Sequence, residues 1–213
     1  ILVRELGLLR NYPAHQDGLE RSRRETLRLA DLVGMADAAR RVSQWQRDRL
    51  ARFRTIVLPS LDPARLAVAQ AALAQVGQPY VWGGDWPNRR SPWGAQAHGG
   101  FDCSGLVWWA FKGQRRTREM GLGGGLLGRT ADQMAFERRA ERVPISALAP
   151  GDLVFFGPGG PRAKPGTVSH AGIALGNGWM IHSSGSRAGV SVSHLDDYWP
   201  SATAFGRRPA QLG

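Results

Sequence analysis

The spacing of apolar positions changes along this chain, and the change divides it. Residues 18–57 are Arg-rich and free of Pro, with apolar side chains at Leu29, Leu32, Val33, Ala36 and Ala39, then Val42, Trp45, Phe53 and Val57. Steps of three and four residues predict an amphipathic helix whose charged side is solvated. Gly34 is a natural break, and Asp37 can cap a second piece. Leu58-Pro59-Ser60 ends the segment. A second helix is predicted after Asp62, a good N-cap, with Pro63 at its first position. Leu66, Leu73 and Val76 mark its apolar face, and Gly77 is the stop. A helical segment over 1–60 is thus set apart from a main domain over 61–213.

From Gln78 onward Gly and Pro become frequent, and short apolar runs replace long periodic ones. Asp102 reads as a helix N-cap, and Leu106, Val107 and Ala110 follow Cys103 at three, four and seven residues, the buried stripe of a helix. Leu153-Val154-Phe155-Phe156, after the turn Pro150-Gly151-Asp152, reads as a buried strand. Val168 to Leu175 and Trp179 to Ser183 read as two more, joined through Gly176-Asn177-Gly178 as a hairpin. Helices first and an antiparallel sheet later, with the Cys103 helix between them, make an α+β arrangement. Gly121 to Gly128 lacks the strand, Lys and Ser/Thr of a phosphate loop and is expected to be a flexible surface loop.

Composition adds bounds. The 213 residues, 42% of them hydrophobic, suit one ordinary domain with a helical appendage. No apolar run approaches the roughly 20 residues that span a bilayer. Arg4, Glu5 and Arg10 interrupt the first residues, unlike a signal peptide. The chain begins with Ile rather than Met, so a processed or truncated form is expected and export stays open. The net charge of +11 is carried almost wholly by Arg, with Lys112 and Lys164 the only lysines. That balance suits polyanionic surroundings such as nucleic acid, an anionic membrane or an acidic wall polymer, although coding bias toward Arg, Ala and Gly produces the same numbers. No metal-ligand cysteine spacing or defensible helix-turn-helix pattern points to specific nucleic-acid recognition.

Cys103 is the only cysteine, so it cannot form an internal disulfide. A lone cysteine is often a small buried hydrophobe. At a helix start, however, thiolate is favoured, which suits a nucleophile provided a base exists. His170 and His182 lie on the two strands of the predicted hairpin, so one can orient the other. Parity tests the pairing. A two-residue Asn177-Gly178 loop sets Ile173 opposite His182 and sends His170 to the other face. An odd loop, or a bulge, sets Gly172 opposite His182 and puts both rings on one face.

The ordered motifs resemble the NlpC family of bacterial cell-wall cysteine peptidases, distant relatives of papain. They are Tyr80-Val81-Trp82-Gly83-Gly84, Asp102-Cys103-Ser104-Gly105, Arg129-Thr130 with Gln133, Pro150-Gly151-Asp152-Leu153, His170-Ala171-Gly172 and Ile181-His182. The resemblance spans roughly residues 64 to 208. It implies a papain-like α+β fold, with an antiparallel sheet packed on the helix bearing the cysteine, and an NlpC-like catalytic domain over 61–213. It implies Cys103 as nucleophile, His170 as general base and then acid, and His182 as the orienting third member. The Cys103 backbone N–H and the Tyr80 hydroxyl would face the oxyanion. Tyr80, Asp102 and Ser104 would contact the substrate. The expected reaction is cleavage of peptidoglycan stem peptides after γ-D-glutamate, through a thioester, by a secreted or wall-associated enzyme. Acyl or amide transfer on the same fold and a non-catalytic wall-binding module are the alternatives.

Two stretches are longer than this pattern predicts. Asp85 to Gly100, with Trp86 and Trp93, is expected to form a rim of the substrate cleft or a packed surface excursion. Lys112 to Gly128 is the other. No cofactor is implied, and His170 with His182 lacks a third metal ligand. The segment 1–60 fits a lid, a packing partner or part of a larger domain.

Overall fold

A computed structural model describes residues 61–185, 189–198 and 203–213, with isolated positions between 36 and 51. The helix predicted over 18–57, its Asp37 cap and the proposed lid lie almost wholly outside the described residues. Among the described residues, no helix is long and apolar enough to cross a membrane.

Helix α1 spans Pro63–Leu73, and Asp62 Oδ1 caps it by accepting from the Ala64 and Arg65 amides at 2.9 and 3.0 Å. Its buried face is wider than the predicted one, and Leu73 and Val76 pack against the core at its edge. Ala67, Val68, Ala69, Ala71 and Ala72 are buried, while Leu66, Leu73 and Val76 are half-buried. Small side chains let α1 lie close to its neighbours, a π-helical turn at Trp109–Gly113 and helix α3 (Arg115–Glu119). Before these come β1 (Asp85–Trp86), β2 (Arg90–Ser91), β3 (Gly94–Ala95), β4 (Gly100–Phe101) and α2 (Cys103–Trp108). β1 pairs with β4, and β2 with β3. The long 85–100 stretch is therefore an ordered excursion. Gln96 holds its base by donating to the carbonyls of Trp86, His98 and Gly100.

The Gly121 to Gly128 stretch is not the flexible loop that its composition predicts. It folds as a 3₁₀ turn over Leu122–Gly125, with Leu122 and Leu126 buried in the core. Apolar burial fixes the segment, and glycine serves close approach at its end: a Cβ on Gly128 would lie 2.8 Å from the backbone carbonyl carbon of Gln133 and 2.9 Å from Met134 N. Helix α4 (Ala131–Ala135) follows, closed by a Thr130–Gln133 capping box.

The main sheet has six antiparallel strands in the order β5-β10-β6-β7-β8-β9. They are β5 (Ala140–Val143), β6 (Leu153–Phe156), β7 (His170–Gly176), β8 (Trp179–Ser184), β9 (Gly189–His194) and β10 (Thr203–Pro209), with α5 (Leu195–Tyr198) between the last two. Leu153, Phe155, Ala171, Ile173, Ile181, Val190 and Val192 join the helices in the main core. Each such aromatic or aliphatic side chain contributes about 1.5–3 kcal/mol by leaving water. The other face carries Val154, Phe156 and Met180, covered by Leu195, Ile145 and Leu148.

The β7–β8 hairpin combines the two alternatives that its sequence allows. Gly176 pairs with Trp179 around a two-residue turn, Asn177-Gly178, with φ of 51° and 76°, as a type I′ turn requires. The register then shifts, so that Ala174 pairs with Met180 and Ile173 with Ile181. The bulge at Leu175 restores the parity that places Gly172 across from His182.

Candidate active site

Cys103 occupies the first position of α2, behind its N-cap Asp102 (φ −83°, ψ −179°). Asp102 Oδ1 accepts from the Gly105 amide at 2.5 Å and from the Ser104 hydroxyl at 3.0 Å. The chain just before it is pinned on several sides. Phe101 N–H donates to Pro79 O, Asp102 N–H donates to Gly84 O, and Ser183 Oγ donates to Phe101 O at 2.6 Å. Gly105 is required here, since a Cβ would lie 1.9 Å from Gly84 O. α2 packs on β7 and β8, and the thiol lies by the Ala171 backbone amide, next in chain to His170.

Burial pushes the Cys103 thiol up to about 11, with the Asp102 carboxylate adding to the rise. The backbone amides of Ala171, Ser104 and Cys103 oppose it without prevailing. The pull of a helix start toward thiolate is therefore outweighed. Burial also lowers His170, to about 4. Both shifts favour the uncharged forms, a neutral thiol and a neutral imidazole.

His170 and His182 share one face of the sheet. His170 Nε2 lies 2.8 Å from His182 Nδ1, with the rings nearly perpendicular at 86°. Phe156 flanks the His170 ring at 5.7 Å. His182 is wholly buried, and its Nε2 lies 3.0 Å from Ser193 Oγ on β9. The result is a line of hydrogen bonds from His170 through His182 to Ser193. Sequence reasoning missed Ser193, although the alternation Val190-Ser191-Val192-Ser193 marks a strand with serines on one face.

Arg129 ties the helix start to the loop in front of it. Its Nη1 donates to Ser104 Oγ at 3.0 Å and lies 3.5 Å from Asp102 Oδ1. Nη2 donates to Gly83 O at 3.0 Å, and Nε lies 3.8 Å from Asp85 Oδ2. Asp85 is buried, and that burial raises its pKa despite Arg129. The predicted substrate contacts Asp102 and Ser104 thus belong to one network with Arg129.

Tyr80 sits at the foot of this loop, bridged to Phe101, its ring beside Gly185 at the end of β8. The tryptophans divide. Trp86 is half-buried and packs edge-on against Trp109 at 4.5 Å, as a wall of the excursion. Trp93 is 69% exposed, with one edge on Trp108 at 5.5 Å. Trp82, at 89% exposure in the turn after Tyr80, is an exposed aromatic that sequence reasoning did not single out.

The NlpC/P60 family model matches residues 77–208, which contain every motif of this site. The chain belongs to the NlpC/P60 family. Its relatives include murein DD-endopeptidase MepH of Escherichia coli, 36% identical over 137 residues, which cover 64% of this chain and 42% of MepH. Peptidoglycan endopeptidase RipB of Mycobacterium tuberculosis is 39% identical over 130 residues, 59% of this chain and 46% of RipB. Among solved structures, the P60 domain of a Mycobacterium avium subspecies paratuberculosis antigen is 31% identical with a TM-score of 0.50. It covers 70% of this chain and 96% of its own. The chain spans less than half the length of these curated relatives. The NlpC/P60 domain described here has the papain-like α+β fold, with the Cys103 helix packed on an antiparallel sheet.

This NlpC/P60 domain thus holds a cysteine at a helix start and, on the sheet that the helix packs against, a buried line of hydrogen bonds through two histidines. Among the described residues, no group of three or more His, Cys, Asp or Glu is arranged to hold a metal ion.

Proposed function

We propose that this domain is a cysteine endopeptidase that hydrolyses stem peptides of bacterial peptidoglycan after γ-D-glutamate. The observation that carries the reading is the buried His170–His182–Ser193 line beside a cysteine at a helix start. Cys103 Sγ attacks the amide carbonyl while its proton passes to His170. The oxyanion accepts from the Cys103 backbone N–H and the Tyr80 hydroxyl. His170 then gives the proton to the leaving amine, the C–N bond breaks, and a thioester remains. Water, deprotonated by His170, hydrolyses it and restores the thiol. Because burial penalises either charge alone, forming the thiolate and imidazolium together at the moment of attack is the economical route.

Tyr80, Asp102 and Ser104 contact the stem peptide in this reading, and the excursion bearing Trp86 and Trp93 forms a rim. The relatives' names support the substrate class, including a gamma-DL-glutamyl hydrolase of Bacillus subtilis, 37% identical over 150 residues. They also include a DD-endopeptidase, so the bond is the point to test. A net charge of +11 suits work at an anionic wall, outside the cell or attached to its wall.

The test is digestion of defined muropeptides with the wild type and Cys103→Ala, followed by mass spectrometry. Fragments ending in D-glutamate, absent with Cys103→Ala, are expected. Cleavage that survives Cys103→Ala would falsify the thiol mechanism. Fragments from cleavage between two D-residues would replace the bond, and products carrying an added amine would replace hydrolysis by transfer.

A further inference from the structure

We infer that Ser193 is a positioning residue, one that fixes the tautomer of His182 and through it the nitrogen with which His170 takes the thiol proton. The inference rests on the reading of Cys103 and His170 as nucleophile and base. His182 Nδ1 lies 2.8 Å from His170 Nε2, and its Nε2 lies 3.0 Å from Ser193 Oγ. A neutral imidazole carries one ring proton, so it donates through one nitrogen and accepts through the other.

When His170 holds the thiol proton, both of its nitrogens carry hydrogen. His170 Nε2–H then donates to His182 Nδ1, which must present its lone pair. The His182 proton therefore sits on Nε2, in a wholly buried place, and needs an acceptor. Ser193 Oγ is that acceptor. Without it, the favoured tautomer puts the proton on Nδ1. His182 then donates to His170 Nε2, the His170 proton moves to Nδ1, and that nitrogen can no longer accept from the thiol. Ser193 thus holds the proton pattern that the charged state requires.

A neighbour supplies the control. Ser191 lies directly across from His182 in the β8–β9 ladder and is buried, yet its Oγ makes no hydrogen bond among the described residues. The two serines share strand, burial and residue type and differ in the bond to His182. Among the described residues, the titratable groups on the neighbouring elements are His170 on β7, with Cys103 and Asp102 at the start of α2. β9 presents Ser191 and Ser193 on this face, since His194 turns to the other face against Trp179.

The experiment measures alkylation of Cys103 by iodoacetamide between pH 4 and 9, which needs no substrate. Wild type, His170→Ala, Ser193→Ala and Ser191→Ala are compared, with melting curves for each. The expected result is a His170-dependent reactivity that Ser193→Ala lowers by about tenfold to a hundredfold, the size of loss seen when the partner that fixes a metal-bound histidine's tautomer is removed. Ser191→Ala is expected to keep the wild-type profile. Equal profiles for Ser193→Ala and wild type would overturn the role of Ser193 alone. A wild-type profile unaffected by His170→Ala would overturn the base assignment as well. Should Ser193→Ala fail to fold, Ser193→Thr and Ser193→Val form a matched pair of one shape, with and without the oxygen. Reactivity kept by Thr and lost by Val supports the proposal, and equal reactivity overturns it.

Discussion

Arg129 Nη1 lies 3.5 Å from Asp102 Oδ1 and so partly balances the carboxylate next to the thiol. Asp102 is the second cause, after burial, of the raised Cys103 pKa. Asp102→Asn keeps the oxygen that caps α2 and removes the charge, so the thiol is expected to fall from about 11. Arg129→Gln removes the balancing cation, and the thiol is expected to rise further. Each change is expected to be about one pH unit at low salt and smaller at high salt, because Arg129 is partly exposed. Thiolate absorbance against pH reads both, and shifts in the same direction would refute the balance.

His170 gives the fold a pH dependence. Its pKa is lowered from the ordinary 6.5 to about 4 by burial. Between those values the unfolded chain binds a proton that the folded one refuses. Stability is therefore full above about pH 6.5, falls as pH drops toward 4, and stops falling below. A depression of this size corresponds to on the order of 3 kcal/mol. Chemical denaturation of wild type and His170→Gln at pH 7.5 and pH 4 checks it. The variant is expected to lose less stability on acidification, and equal losses would remove His170 as the cause.

Asp152 is expected to be the most sensitive surface-to-core anchor. It is wholly buried, accepts from the Ala149 amide, and pairs with Arg208 at 2.8 Å and Arg65 at 3.2 Å. These bonds fasten α1 and β10 to the start of β6. Asp152→Ala takes this buried counter-charge from two partly buried guanidinium groups, which keep the Pro150, Leu212 and Ala147 carbonyls, and is expected to cost roughly 3–5 kcal/mol. A loss under about 1 kcal/mol in urea denaturation would show that water replaces the carboxylate.

The sequence carried the local parts of this structure well. The Asp62 and Asp102 caps, the Cys103 helix with Leu106, Val107 and Ala110 buried, and the strand Leu153–Phe156 were legible because neighbours in sequence determine them. The alanine face of α1 was not, since which face is buried depends on how close the partner comes. Nor were β5, β9 and β10. β9 interleaves serines that polarity assigns to solvent, whereas the sheet buries them behind His182. The Arg129 network joins residues separated by 25 to 46 positions, a distance at which spacing says nothing. The glycine-rich stretch was misjudged because Leu122 and Leu126, not its glycines, decide its place.

The bulge at Leu175 aligns the two histidines on one face. Gly176 holds a φ of 88° where β7 enters the turn, a conformation that costs an L side chain roughly 1–2 kcal/mol. Gly176→Val has two ways to respond. It can keep the bulge and bear the strain, lowering the melting temperature by roughly 2–8 °C for a chain of this length. Or it can relax the bulge, which moves Ile173 toward His182 and turns His170 away. The second response destroys the 2.8 Å contact at little cost in melting temperature. Cleavage and melting measured together separate them. We expect activity to fall by more than the unfolded fraction explains, because the bulge sets which face of the sheet carries His170. Asn177→Gly, which eases the turn residue at φ 51°, is expected to leave both measurements unchanged. Full activity in Gly176→Val would show that the register is set elsewhere, most directly by the pairing of β8 with β9.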